Sequence, residues 1–209
     1  MKKRGFLGGT FDPVHAGHLR LAIECLEQFG LDSLHLLPAP SPNLRATPGA
    51  NPAQRLAMLE LAVAGTGLEV DPREIARDGV TYTVDTLQAL RAQYPADALC
   101  FILGQDAFNG LARWHRWEAL TGLAHLVVAT RPGYRHPTEE PLASLLRDAE
   151  TANPERLAAQ AAGCVFFATI PLLPISATDL RTRIREGRSI AALTPQPVVE
   201  YIRDHALYR

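Results

Sequence analysis

Cysteine is scarce: Cys25, Cys100 and Cys164 are the only three in 209 residues. They are too far apart for a C-x-x-C zinc or redox motif, and their odd number does not suit a paired disulfide framework. A reducing compartment, the cytoplasm, is the plain expectation. An excess of charge is also lacking, since 21 Lys and Arg stand against 22 Asp and Glu. Sequence-independent attachment to nucleic acid or to an anionic membrane surface rests on clustered basic side chains, so neither partner is expected and small ligands are. No apolar run reaches the length of a membrane span. The basic start Met1-Lys2-Lys3-Arg4 imitates a signal peptide, but Asp12 and His15 cut the following apolar stretch short of an h-region. Neither a Walker A loop nor G-x-G-x-x-G occurs. There is no dense Asp/Glu cluster for an all-protein metal cage, so no metal ligand is expected from the chain.

The composition that remains, 47% hydrophobic and 21% charged, is that of an ordinary globular protein. The length suits one α/β domain over 1–209, with a C-terminal helical portion from about 175. Gly5 to Gly8 reads as a strand and Leu19 to Phe29 as a helix, with Leu19, Ala22, Ile23 and Leu26 on one face. Leu34 to Leu37 reads as a second strand, Arg55 to Ala64 as a helix and Leu68 to Val70 as a short strand. Thr83 to Tyr94 reads as a helix, and Ala98 to Leu103 and Leu123 to Thr130 as buried strands. This β-α-β-α alternation predicts a doubly wound, mostly parallel sheet with helices on both faces, which places ligands outside the carboxyl ends of the strands. Three proline-rich connections, Pro38 to Pro52, Arg131 to Pro141 and Pro171 to Pro174, are either functional loops or tolerated surface insertions.

The segment Gly8-Gly9-Thr10-Phe11-Asp12-Pro13-Val14-His15-Ala16-Gly17-His18 occupies the first strand-to-helix junction. Gly8 and Gly9 allow a ligand close to the backbone, Asp12-Pro13 suits a tight turn, and the helix that follows offers N–H groups and a positive dipole end to an anion. His15 and His18, three apart, fall on one helical face where both can donate to phosphate oxygens. Two histidines near a helix start are ordinarily caps or packing groups. Their coincidence with two glycines and a turn at this junction points to a phosphate site instead. Ser176 and Thr178 are N-cap candidates for a helix ending near Glu186, with Arg181 projecting from its first turns. A capped helix with an exposed arginine would be the structural explanation, whereas beside a phosphate site the guanidinium fork fits a triphosphate.

The string Gly8 to His18 resembles the opening motif of bacterial nicotinate-nucleotide adenylyltransferases, within the H-x-G-H nucleotidyltransferase superfamily. The resemblance runs along nearly the whole chain. The superfamily's second motif is matched by Ile175-Ser176-Ala177-Thr178-Asp179-Leu180-Arg181, and the segment from Tyr201 to Tyr208 is typical of the group. The resemblance implies a Rossmann-like nucleotidyltransferase fold and transfer of AMP from ATP to nicotinate mononucleotide in NAD biosynthesis. It implies catalysis by His15, His18 and Arg181. For ATP it implies Gly8, Gly9, Thr10, Phe11, His18, Arg45, Gly104, Asp106, Arg131, Ile175, Ser176, Thr178 and Arg181. For the mononucleotide it implies Thr10, His15, Tyr82, Thr83 and Trp114.

Gly104-Gln105-Asp106 follows a strand, where a carboxylate can accept from ribose hydroxyls, although Asp106 as a helix N-cap is the competing reading. Arg131-Pro132-Gly133 resembles an element bordering adenine. Thr81 to Leu87 resembles the Y-T-x-D-T-L motif, and Trp114-His115-Arg116-Trp117 the tryptophan segment, on which a pyridine ring would stack. Where relatives carry P-P-H-[KR], this chain has Pro42-Asn43-Leu44-Arg45. Leu44 cannot donate to a phosphate, so either that histidine is dispensable or Asn43 and Arg45 supply the contact, with Arg45 the favoured donor.

A mononucleotide phosphate is already an anion, so attack on the α-phosphorus of ATP needs positioning and charge stabilisation rather than a protein base. Mg²⁺ is expected to arrive held mainly by the ATP phosphates. Three other readings compete: transfer to another acceptor such as phosphopantetheine, a regulator that binds nucleotide without turnover, and nucleic-acid binding through Arg181, Arg183, Arg185 and Arg188. The Y-T-x-D-T-L and tryptophan segments oppose the first. The intact histidines and Arg181 oppose the second, and the neutral net charge opposes the third. Self-association into a homo-oligomer is left open.

Overall fold

Short apolar runs closed by Gly, Pro or Asp become strands, and the amphipathic stretches between them become helices. A computed structural model describes residues 1–40, 49–77, 79–130, 133–171 and 173–209. Along these the order is β1 (Lys3–Gly9), α1 (Ala16–Gln28), β2 (Ser33–Pro38), α2 (Pro52–Val63), β3 (Glu69–Val70), α3 (Thr83–Gln93), β4 (Ala98–Gly104) and α4 (Gln105–Asn109). There follow α5 (Leu120–Leu123), β5 (His125–Thr130), α6 (Leu142–Ala149), α7 (Arg156–Ala159), β6 (Val165–Thr169), α8 (Ala177–Arg185) and α9 (Gln196–Asp204). The strands form one parallel six-stranded sheet in the order β3-β2-β1-β4-β5-β6. This is the doubly wound α/β order, which reverses direction beside β1.

By internal contacts the chain divides into two units. The first comprises Met1–Leu7, Glu24–Leu34 and Tyr82–Pro171. Every residue of β5, and all of β4 before Gly104, is buried, as parallel strands covered on both faces should be. Val84, Leu87 and Leu90 give α3 its buried stripe. Arg91 closes this unit by donating to the carbonyls of Asp97 at 2.7 Å, Leu123 at 2.8 Å and Ala161 at 2.8 Å. His125 is wholly buried in β5, where its Nδ1 accepts from the Cys164 N–H at 3.2 Å. The proton therefore sits on Nε2, which donates to the Gln160 carbonyl at 2.9 Å. Desolvation lowers the pKa of this ring, and its two bonds account for it structurally.

The second unit comprises Gly8–Ile23, His35–Thr81 and Leu172–Arg209. Its α2 opens with a capping box: Asn51 accepts from the Gln54 N–H, Gln54 accepts from the Asn51 N–H, and Pro52 occupies the first turn. The buried stripe of α2 is Arg55, Met58, Leu59 and Ala62, and α9 packs against this helix, with Val198 and Ile202 buried.

Four local readings change. The deepest residues of α1 are Ala22 and Cys25, followed just past its end by buried Phe29, while Leu19, Ile23 and Leu26 are half-buried. The capping box starts α2 at Pro52 rather than at Arg55. Strand β6 was not read from the sequence, and the final helical portion is two helices, α8 and α9.

Candidate active site

In the second unit, the segments from Gly8 to His18 and from Ile175 to Arg181 come together. The His15 and His18 rings stack with centroids 3.7 Å apart and planes 20° apart, as their spacing predicted. The His15 N–H donates to His18 Nδ1 at 3.3 Å, which assigns the His18 proton to Nε2. His15 is only 6% exposed, and its Nδ1 is buried with no hydrogen-bond partner among the described residues. Desolvation lowers the His15 pKa to about 4, outweighing a backbone hydrogen bond that raises it. The ring is therefore neutral at neutral pH. A Cβ added at Gly17 would lie 3.0 Å from His15 Nδ1 and 3.6 Å from the Ile175 carbonyl, so only glycine leaves this gap open.

The helix start offers fewer amides than the sequence suggested. The Ala16 N–H donates to the Leu193 carbonyl at 2.9 Å, and Thr194 Oγ1 donates to the Val14 carbonyl at 2.9 Å, so the 193–194 turn holds the loop from outside α1. Phe11 is buried in a left-handed conformation (φ 49°), edge-on to His18 at 4.9 Å. Its ring fills the space that a Cβ on Gly9 would need, 2.8 Å away. Phe11 can therefore meet a nucleotide only through its backbone. Gly8 is exposed and Thr10 half-buried.

Arg181 donates through Nη1 to the Asp12 carbonyl at 2.6 Å and through Nη2 to Thr178 Oγ1 at 3.3 Å, and it remains half-exposed. Ser176 is the N-cap of α8, accepting from the Asp179 N–H at 3.1 Å, as its position predicted.

Three residues that the sequence left unassigned underlie this arrangement. Asp12 is 5% exposed and does more than turn the chain. Its Oδ1 accepts from the Ala50 N–H at 3.0 Å and the Tyr208 hydroxyl at 2.8 Å, and its Oδ2 from the Gly49 N–H at 2.8 Å. Arg55, fully buried, donates to the carbonyls of Thr10 at 2.7 Å, Ala39 at 2.6 Å, Pro40 at 2.5 Å and Ala50 at 3.3 Å. Desolvation lowers its pKa, opposed by the charge of Asp12. One signal for Arg55 was legible: an arginine at the first place of an apolar i, i+3, i+4, i+7 stripe has to find buried acceptors.

In the first unit, Gly104 closes β4 and stands at the N-cap of α4, while Asp106 is exposed in the first turn. Asp106 is therefore not the cap, which leaves its carboxylate available at the strand's carboxyl end. Tyr82 caps α3 by position, and its ring meets that of His115 at 4.4 Å, joining the segment that begins α3 at Thr83 to the tryptophan segment. Trp114 is half-buried, edge-on to Phe101 at 6.3 Å. A pocket of about 300 Å³ opens beside Thr130 and Thr169, the last residues of β5 and β6, with Tyr134, His136 and Phe167 among its walls. Gly133, from the segment likened to an element bordering adenine, lines it as well. Arg45 and Arg131 lie outside the described residues.

Among the described residues, no group of three or more His, Cys, Asp and Glu stands together to hold a metal ion. No described helix is long and apolar enough to cross a membrane.

Residues 6–183 match the cytidylyltransferase-like family. A protein of Pseudomonas aeruginosa named probable nicotinate-nucleotide adenylyltransferase is 49% identical over all of this chain and 98% of its own length. One of the same name from Cellvibrio japonicus is 47% identical over 98% of each chain. The solved structure of Plasmodium falciparum nicotinic acid mononucleotide adenylyltransferase complexed with NaAD superposes with a TM-score of 0.74 over 100% of this chain and 98% of its own. At 16% identity, that likeness bears on the fold alone.

Proposed function

The chain belongs to the cytidylyltransferase-like family and, within it, to the nicotinate-nucleotide adenylyltransferases, and on that premise we propose how its residues transfer AMP from ATP to nicotinate mononucleotide. An oxygen of the mononucleotide phosphate attacks the α-phosphorus of ATP, the bond to the bridging oxygen of pyrophosphate breaks, and nicotinate adenine dinucleotide and pyrophosphate leave. This is a step of NAD biosynthesis, placed by this reading in the cytoplasm.

The observation that carries the reading is the meeting of His15, His18 and Arg181 around one loop, with the buried His15 Nδ1 lacking a partner among the described residues. The two rings act here as hydrogen-bond donors: His18 through Nε2, and His15 through a ring that gains a proton more easily once an anion lies beside it. Arg181 contributes the permanent charge on the pyrophosphate side, with Ser176, Thr178 and the Ile175 backbone shaping the start of α8 around it. Gly8, Gly9, Thr10 and the Phe11 backbone receive the triphosphate, and Arg45 assists from its loop.

Gly104 and Asp106 take the ATP ribose, and Arg131 borders adenine. Trp114 stacks on the pyridine ring while Tyr82 and Thr83 receive the nicotinate carboxylate and His15 and Thr10 its phosphate. Mg²⁺ enters with ATP. The donor set fits an ion whose ligands are mainly phosphate and water, and when bound it neutralises phosphate charge.

The test is steady-state kinetics of His18→Ala and Arg181→Ala with ATP, Mg²⁺ and nicotinate mononucleotide. Each should lower kcat on the order of 10²–10³-fold, the usual consequence of losing one transition-state donor, with thermal midpoints near that of the parent. Near-normal kcat in either variant removes that residue from the mechanism.

A further inference from the structure

We infer that Tyr208, acting through Asp12, is a positioning residue for Arg181; the inference rests on the role given to Arg181 above. Among the described residues, the hydroxyl of Tyr208 is the one side-chain donor on Asp12 Oδ1, at 2.8 Å, and shares that oxygen with the Ala50 N–H. Asp12 in turn meets Arg181 twice, through its carbonyl at 2.6 Å and through Oδ2 at 3.6 Å. A buried carboxylate keeps one orientation only when both its oxygens are satisfied, and here Gly49, Ala50 and Tyr208 satisfy them. Removing the phenol hydroxyl frees one side of Oδ1, so the carboxylate and the peptide carrying the Asp12 carbonyl can rotate. The guanidinium that leans on both then loses its fixed place.

Tyr208 reaches this point because the turn after α9 bends back, with Ala206 (φ 52°) and Tyr208 itself (φ 65°) in left-handed conformations. Its ring lies beside Gly49, where an added Cβ would come 3.0 Å from the ring's Cδ1 and Cε1 and 3.6 Å from Arg181 Cδ. Burial and the bond to Asp12 both raise the phenol pKa, so the hydroxyl stays a donor throughout the working pH range. This linkage joins four separate stretches of the second unit: the phosphate loop, the 49–50 turn, α8 and the turn after α9.

The decisive experiment is a double-mutant cycle on the intact protein with Tyr208→Phe and Arg181→Ala. Tyr208→Phe should lower kcat about ten-fold, the size of one hydrogen bond. It should leave the KM for nicotinate mononucleotide within about two-fold and the thermal midpoint near that of the parent. In the Arg181→Ala background it should have no further effect. An unchanged kcat, or an equal loss with and without Arg181, would overturn the inference and leave Tyr208 as packing.

Should Tyr208→Phe fold poorly, Gly49→Ala displaces the same ring by its edge and should show the same kcat-selective loss, confined to the Arg181 background; equal losses in both backgrounds overturn the inference there too. Titration calorimetry with inorganic tripolyphosphate separates the two claims. If the parent turns over no nicotinate mononucleotide, the function fails. Weaker tripolyphosphate binding by Tyr208→Phe that vanishes without Arg181 would still uphold the positioning role, and unchanged binding would overturn it.

Discussion

His15 should make the protein less stable as the pH falls from 6.5 towards 4, because its pKa is about 4 in the folded state against 6.5 unfolded. In that window the unfolded chain binds a proton that the folded chain refuses, so stability is complete above pH 6.5 and declines below it. A shift of about 2.5 units corresponds to about 3 kcal/mol once both states are protonated. At pH 5 the same two pKa values give a loss of about 2 kcal/mol relative to pH 7. Other groups titrate there, and His125, whose pKa burial also lowers, acts in the same direction. Comparison with His15→Gln isolates the His15 part, since glutamine keeps polar atoms but takes up no proton. Urea unfolding of both proteins at pH 7 and pH 5 is the assay. The parent should lose about 2 kcal/mol more than His15→Gln between the two pH values. Equal losses, or a greater loss in the variant, would refute the claim that His15 is held neutral by burial. The same reasoning predicts proton uptake when a phosphate-bearing ligand binds near pH 5.

Arg55→Ala should destabilise the protein by about 3–5 kcal/mol in urea unfolding, since four carbonyls around the phosphate loop lose their shared donor inside the fold; a change below about 1 kcal/mol would show that water replaces it. Trp114→Ala should weaken nicotinate mononucleotide by roughly 1–3 kcal/mol while sparing ATP. Equal losses for both substrates would mean that the edge contact with Phe101 is packing alone.

The strands β1, β2, β4 and β5 were legible because parallel strands buried on both faces read as short continuous apolar runs between turn residues. The strand at Val165–Thr169 was not, because five residues after the turn at Gly163 carry no period of their own and draw their identity from pairing with β5. The start of α2 was written in Asn51, Pro52 and Gln54, a capping signature that the apolar spacing beginning at Arg55 obscured. In the site, His15, His18 and Ser176 could be placed because helical spacing and capping are local. Asp12 and Tyr208 could not, since they meet across 196 residues of sequence, and Arg55 left only its place in the apolar stripe of α2 as a signal. Loss of the Ala16 amide to Leu193 is likewise a tertiary fact that weakens a purely local argument about helix dipoles.

The central claim is the choice of acceptor. Pyrophosphate release from ATP and Mg²⁺ can be measured side by side with nicotinate mononucleotide, nicotinamide mononucleotide and phosphopantetheine, with the dinucleotide product confirmed by chromatography. The account predicts turnover with nicotinate mononucleotide and formation of nicotinate adenine dinucleotide. Turnover with phosphopantetheine instead, or with none of the three, would contradict it.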